Sequence, residues 1–150
     1  MATLVLGETV IFKVWDGSSA YIPAICLTEN SLSETKEMIE SQTKCNPGVI
    51  IKTPSTYSYE ISLEGEYGYD PDTPSATMQW DDLRTKLQAG TRMSWSMEGF
   101  NDGSSAVIYY GDGYLTDIEF SAPAGASIST FSATLSGNGN IVTTEPTTKY

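Results

Sequence analysis

Carboxylates are the commonest reactive groups of this chain, and three pairs lie close together in sequence: Asp70/Asp72, Asp81/Asp82 and Glu64/Glu66. Two carboxylates can supply the acid and the base of a glycosidase. Each pair also has a simpler structural explanation. The first alternates with prolines in a predicted turn, the second lies in the first turn of a predicted helix, and the third shares the polar face of a predicted strand. We therefore expect these carboxylates to be structural.

Other catalytic and metal-binding groups are scarce. The chain contains no histidine, which removes the usual general base and the commonest zinc ligand. Cys26 and Cys45 match no zinc or redox spacing, so free thiols are expected, although a disulfide stays open. The Asp-Gly turns at 101–103 and 112–113 lack the spacing of a calcium loop, and no phosphate-binding loop is present. The sequence predicts a protein that is not an enzyme and needs no cofactor or metal.

The overall charge and composition favour a soluble β protein. A formal charge of −11 arises from 19 acidic and 8 basic residues, and a field of that sign repels phosphate backbones. A length of 150 residues suits one domain. The first residues lack the features of a secretory signal, and no apolar run is long enough for a membrane span. We expect a single domain over residues 1–150, made in the cytoplasm.

Alternation of apolar and polar residues predicts most of the strands. In residues 57–67 the odd positions are largely apolar and the even ones polar, which gives one buried and one wet face. Further strands are predicted at 10–15, 21–27, 93–98, 106–121 and 129–136, with Pro23 placing the second at an edge or bulge and two glycines bending the 106–121 strand at 111–113. About seven mostly antiparallel strands predict a sandwich or barrel.

One helix is predicted among these strands, at residues 78–88. Thr77 is its candidate cap, Trp80, Leu83 and Leu87 form one apolar stripe, and Gly90 follows its end. The stripe is expected to pack on the sheet and not to bind a partner.

Three segments are harder to assign. Residues 33–40 have helical propensity but no wide apolar stripe, so the local pattern leaves strand and helix open. Residues 44–54 are predicted to form a loop, whose apolar tip at 49–51 either folds back on its own core or contacts a neighbouring subunit. Residues 142–150 are polar and are expected to form an arm or to be disordered in the isolated subunit.

Five segments together resemble the major tail tube protein family of long-tailed bacteriophages: ICLTENSLS at 25–33, KTPSTYSYE at 52–60, WDDL at 80–83, SAPAGA at 121–126 and FSATLSGNG at 131–139. The resemblance covers about residues 22–141, and it favours a long strand over the helix for residues 31–43. It implies two antiparallel sheets packed as a sandwich or barrel with one flanking helix. It also implies homohexameric rings that stack into a hollow tube for the passage of DNA, in the tail of a virion.

The resemblance also suggests roles for particular residues. Glu60, Glu64 and Glu66 lie on the wet face of the 57–67 strand and would point into the bore, where they would keep DNA from adhering. Contacts between stacked rings are assigned to the loop residues Lys44, Cys45, Asn46, Val49, Ile50, Ile51 and Lys52. The implied partners are further copies of the chain, a tape measure protein, a tail terminator or baseplate protein and, in contractile tails, a sheath. The alternatives are a secreted carbohydrate-binding or adhesion β-sandwich and the tube protein of a related injection system.

Overall fold

The computed structural model describes residues 6–24, 26–45, 47–68, 78–101 and 106–150. A short 3-10 helix at Gly7–Thr9 precedes seven strands and one α-helix: β1 (Ile11–Trp15), β2 (Tyr21–Pro23), β3 (Leu27–Ser41), β4 (Ile51–Glu66), α1 (Trp80–Ala89), β5 (Met93–Asn101), β6 (Ala106–Ser121) and β7 (Thr130–Val142). The predicted mainly β architecture with one flanking helix is confirmed. No helix in the described part of the chain is long and apolar enough to cross a membrane.

All seven strands are hydrogen-bonded into one antiparallel sheet, in the order β2-β1-β5-β6-β7-β4-β3. The predicted division into two sheets is therefore approximate, because no break in hydrogen bonding separates two layers. The short strand β2, with its Pro23, lies at one edge as predicted, and β3 lies at the other.

The sheet curls until its two ends meet. Five strand spacings separate β1 from β3, which would place them roughly 24 Å apart in a flat sheet. Instead, the side-chain amide of Asn30 on β3 donates a hydrogen bond of 3.4 Å to the carbonyl of Val10, just before β1. The rings of Tyr59 on β4 and Trp95 on β5 also meet edge to face, with centroids 5.7 Å apart. The fold is thus barrel-like, with one core inside the curl.

The core combines alternating residues of the strands with the apolar stripe of α1. Its fully buried side chains include Trp95, Phe12, Ile61, Leu63, Leu83, Met93, Leu135 and Val14. The helix begins two residues later than predicted, where the Gln79 N–H donates 3.1 Å to the Asp82 carboxylate, and it ends at Gly90 in the left-handed region, with φ 64°. The predicted cap, Thr77, lies outside the described residues.

In the β3–β4 hairpin one open assignment is resolved, as the strand that the resemblance favoured, and one predicted loop segment is corrected. Residues 33–40 form a strand, paired with β4 along their whole length apart from a bulge between Lys36 and Met38. Residues 51–54, predicted as loop, belong to β4. Pro54 has no N–H to donate, but β7 pairs with β4 only from Glu60 onward. No hydrogen bond between β4 and β7 is therefore lost at Pro54.

Side-chain hydrogen bonds hold the turn between β1 and β2. The Asp16 carboxylate accepts the backbone N–H groups of Ser18, Ser19 and Ala20 at 2.8–3.2 Å, and these bonds lower the pKa of Asp16 to about 2.

The C-terminal residues 143–150 are not a free arm, contrary to expectation. Tyr150 exchanges backbone and side-chain hydrogen bonds with Ser94, at 2.8 and 3.0 Å. Arg92 lies 4.1 Å above the Tyr150 ring, and Lys149 lies 4.8 Å from the Trp15 ring centroid. This packing covers the outer face of β5 and explains why its Ser94 and Ser96 are buried.

Candidate assembly surfaces

The outward side of strands β3, β4, β7 and β6 carries a cluster of carboxylates, which we term the acidic face: Glu29, Glu60, Glu64, Glu66, Asp117 and Glu119. Alternation along β4 creates it, since Tyr59, Ile61 and Leu63 point into the core and the glutamates between and after them are exposed. The predicted wet face is confirmed. Residues 27–33, 58–66, 114–121 and 130–138 contain no lysine or arginine, so nothing on these strand segments neutralises the acids.

Strand register concentrates the charge further. Glu64 lies directly opposite Glu29 on β3 and Ser132 on β7, and Ser132 in turn lies opposite Glu119 on β6. Like charges directly opposite each other weaken strand pairing. The rest of this face is mostly serine and threonine, together with the exposed ring of Tyr114 opposite Ser136. The sequence pattern did not bring Glu29, Asp117 and Glu119 into this face, because their position depends on cross-strand register.

The far half of the β3–β4 hairpin projects from the body as a two-stranded ribbon. Its pairing is confined to the two strands, and Met38, Ile39, Val49, Ile50 and Ile51 are each 44–58% exposed. We call the segment Val49, Ile50 and Ile51 the hairpin tip. It does not fold back on its own core, and its three apolar side chains are exposed in the subunit. Lys44, Cys45 and Lys52 flank the tip and are also exposed, whereas Asn46 lies outside the described residues.

In the described part of the chain, the edge strand β3 pairs on one side only, with β4, whereas the β2 edge is bordered by a parallel bridge between Ala24 and Met78. The edge strand β3 runs over 15 residues, and soluble proteins usually shorten or cover so long an edge because its free N–H and C=O groups invite another strand. The other edge, β2, has only three residues. A long open edge suits strand addition from a second chain.

A buried hydrogen-bond network fixes the wall behind the acidic face. The Tyr59 hydroxyl donates to the Asp112 carbonyl at 2.6 Å and accepts from the Trp95 indole N–H at 3.2 Å. Burial is the main cause of the raised pKa of Tyr59. Gly111 and Gly137 make room for this ring, since a Cβ on Gly137 would lie 2.3 Å from it. The predicted bulge is confirmed by the register shift between Tyr110 and Asp112.

The described residues offer little for catalysis. They contain no group of three or more histidine, cysteine, aspartate or glutamate side chains placed to hold a metal ion. Both cysteines are exposed free thiols. The arrangement supplies surfaces of shape and charge, suited to contacts between macromolecules.

Comparisons with known proteins identify the class of fold. No protein-family model and no curated protein matches this chain. Among solved structures, it superposes on a chain from the tail of an empty gene transfer agent particle refined with C6 symmetry, with TM-score 0.71, 14% identity, and 93% of this chain and 98% of that chain covered. The SPP1 tail tube gives TM-score 0.69 at 13% identity, covering 91% of this chain and 77% of that chain. A sheath–tube complex of an extracellular contractile injection system gives 0.61 at 18% identity, covering 89% and 86%.

These structures define the chain as a protein with the tail-tube fold. At identities of 13–18% the likeness is one of fold, and at that level the predicted resemblance is confirmed.

Proposed function

We propose that this chain is the structural subunit of a tail tube, in which six-membered rings stack into a hollow cylinder of a virion tail. The observation that carries the proposal is the superposition over 93% of the chain on the tail of a particle refined with C6 symmetry. The long open edge of β3 supports it, because a neighbouring subunit can continue the sheet there around a ring. Ring closure then limits growth in the plane. The role is structural and not enzymatic.

In this proposal the acidic face lines the bore. Glu60, Glu64 and Glu66 would repel the DNA backbone as it passes, over the roughly 8–10 Å that electrostatic forces reach at physiological ionic strength. The absence of lysine and arginine from the strand segments 27–33, 58–66, 114–121 and 130–138 supports this orientation. DNA would therefore pass without being bound.

The projecting hairpin makes the contacts between rings. Its proposed contact residues are Lys44, Cys45, Asn46, Val49, Ile50, Ile51 and Lys52. The exposure of the hairpin tip supports this role, since three adjacent apolar side chains at the end of a ribbon gain by being covered.

The partners follow from the tube. Further copies of the chain form the rings, a tape measure protein occupies the growing bore, and a terminator or baseplate protein caps the ends, with a sheath outside in a contractile tail. The subunit would be made in the host cytoplasm and end in the virion. A carbohydrate-binding or adhesion sandwich has no observation in its favour.

Electron microscopy of the purified protein tests the proposal. Hollow tubes with six-fold rings are expected, and a persistent monomer under all assembly conditions would refute it. For the bore, Glu60→Lys, Glu64→Lys and Glu66→Lys together should preserve tubes but slow DNA release from particles. The matched Gln variants remove charge without adding attraction and should release DNA nearly normally. If particles with the three Lys substitutions released DNA at the wild-type rate, these residues would lie outside the bore.

A further inference from the structure

A groove of about 1200 Å³ remains where the curled sheet fails to close, between β1 and β3. Its lining is mixed, and apolar side chains form a buried floor and half-buried walls: Val10, Phe12, Leu32, Met97, Phe100 and Ile141. Three acidic residues are among its lining: Glu8, Glu34 and Glu29, the last of which also belongs to the acidic face. An open apolar surface with a charged border is typical of a binding surface for a protein segment.

The hairpin tip has the complementary properties. Val49, Ile50 and Ile51 are exposed apolar residues, and the lysines on either side, Lys44 and Lys52, carry the charge opposite to that of the groove. Lys52 has only an exposed ion pair with Glu40, at 3.4 Å, and such pairs contribute little stability, so it is available for another carboxylate.

We propose that the hairpin tip of one copy inserts into the β1–β3 groove of another copy, with its lysines beside the groove carboxylates. The inference rests on the proposed function only in placing the second copy in the adjacent ring.

The tip cannot reach its own groove. Ile51 and Tyr59 are eight positions apart on β4, and Tyr59 pairs with Glu34 at the near end of the groove. At about 3.3 Å per residue this separation is roughly 26 Å. Tip and groove therefore lie at different ends of one strand pair, and a contact between them joins copies head to tail. When the copies point the same way, such a contact repeats along the strand direction.

The two native cysteines allow a direct test, because Cys26 lies in the groove lining and Cys45 lies next to the tip, both exposed. Assembled wild-type protein treated with a short bismaleimide should give a ladder of covalent oligomers on denaturing gels. Cys26→Ser and Cys45→Ser should each abolish the ladder. Subunits of the two variants, mixed before assembly, should regain a dimer and nothing larger, because each carries one half of the pair.

The outcomes separate this inference from the proposed function. Tubes that give no cross-link, or dimers that persist in either single variant, would overturn the tip-in-groove contact and leave the tube intact. Cross-linking of Cys45 to a cysteine introduced as Ile128→Cys, in place of Cys26, would place the tip at an exposed residue outside the groove lining and overturn the groove contact. Protein that forms no assembly of any kind would overturn both.

A charge reversal gives an independent measurement. Lys44→Glu should raise the concentration needed for assembly roughly tenfold, since it places like charges together in every contact. Glu8→Lys or Glu34→Lys added to it should recover part of that loss. Arg84→Glu, the same charge change on the exposed side of α1, is the control and should assemble normally. If Lys44→Glu and Arg84→Glu raised the concentration needed for assembly equally, the placement of Lys44 beside the groove carboxylates would be wrong.

Discussion

The hairpin tip should decide whether rings stack, and the double substitution Ile50→Asp and Ile51→Asp tests this. In the isolated subunit these side chains are 56% and 44% exposed. Full burial of an isoleucine is worth about 1.5–3 kcal/mol, so about half of that, roughly 0.7–1.5 kcal/mol each, remains to be gained on assembly. The two together contribute roughly 1.5–3 kcal/mol per subunit. With the six subunits of a C6 ring, the loss per ring interface is of the order of 9–18 kcal/mol.

The same substitutions should hardly affect the folded subunit. Both side chains lie at the end of the projecting ribbon, and exposed substitutions usually change the free energy of unfolding by less than about 1 kcal/mol. Thermal unfolding followed by circular dichroism should therefore give a melting temperature within a few degrees of wild type. Sedimentation and electron microscopy should show subunits or single rings and no tubes.

A matched control separates lost apolar contact from added charge. Ser41 lies directly opposite Ile51, and Ser41→Asp with Thr43→Asp adds two carboxylates beside the tip while leaving its apolar residues unchanged. This control should still form tubes, at a somewhat higher concentration. Tubes of normal length from the Ile50/Ile51 variant, at the wild-type concentration, would refute the reasoning.

Three further predictions concern stability. Tyr59→Phe should lower the free energy of unfolding by about 1–3 kcal/mol in denaturant titrations, because it leaves a buried indole N–H without its acceptor. Gly137→Ala should lower the free energy of unfolding by several kcal/mol, since its Cβ would meet the Tyr59 ring at 2.3 Å. Gly139→Ala, in open space at φ 82°, should lower it by only about 1–2 kcal/mol. Equal losses of stability in the two variants would show that the Tyr59 ring can move aside. The hydrogen bonds that lower the pKa of Asp16 to about 2 stabilise the folded state. This stabilisation is fully present above the unfolded pKa near 3.9 and is lost as the pH falls through 2. The stability difference between wild type and Asp16→Asn should therefore narrow from pH 4 to pH 2, and a constant difference would contradict the assignment.

The local sequence pattern predicted the elements in which buried and exposed side chains alternate with a regular period. The alternation around Tyr59 and Ile61 defined β4, and the stripe of Leu83 and Leu87 with Gly90 defined the helix, because one-sided burial leaves its period in the sequence. The strand Ala106–Ser121 and its bulge agree with the structure for the same reason.

Long-range pairing determined the rest. Residues 33–40 are helix-prone alone, yet β4 supplies a complete ladder of hydrogen bonds, and tertiary context outweighs propensity differences of a few tenths of a kcal/mol per residue. Tyr150 docks on Ser94, 56 positions away, a contact that no local pattern indicates. The acidic face and the groove arise likewise from register and from the curl of the sheet. Sequence therefore located three of the six acids of the face and nothing of the groove.

An assembling subunit must stay soluble alone, and the positions of its exposed groups show how this chain meets both demands. The long edge β3 invites strand addition, but the acidic face beside it gives neighbouring subunits a repulsion that falls off within a Debye length. The exposed apolar residues Met38, Ile39, Val49, Ile50 and Ile51 are gathered on the projecting hairpin, whereas those of the sheet body are distributed over β1, β6 and β7: Ile11, Tyr114, Phe120 and Val142. In the proposed tube, a productive contact pairs sheet edges or seats a tip at the far end of another copy. Both of these arrangements satisfy the edge and the tip while the acidic faces stay in water.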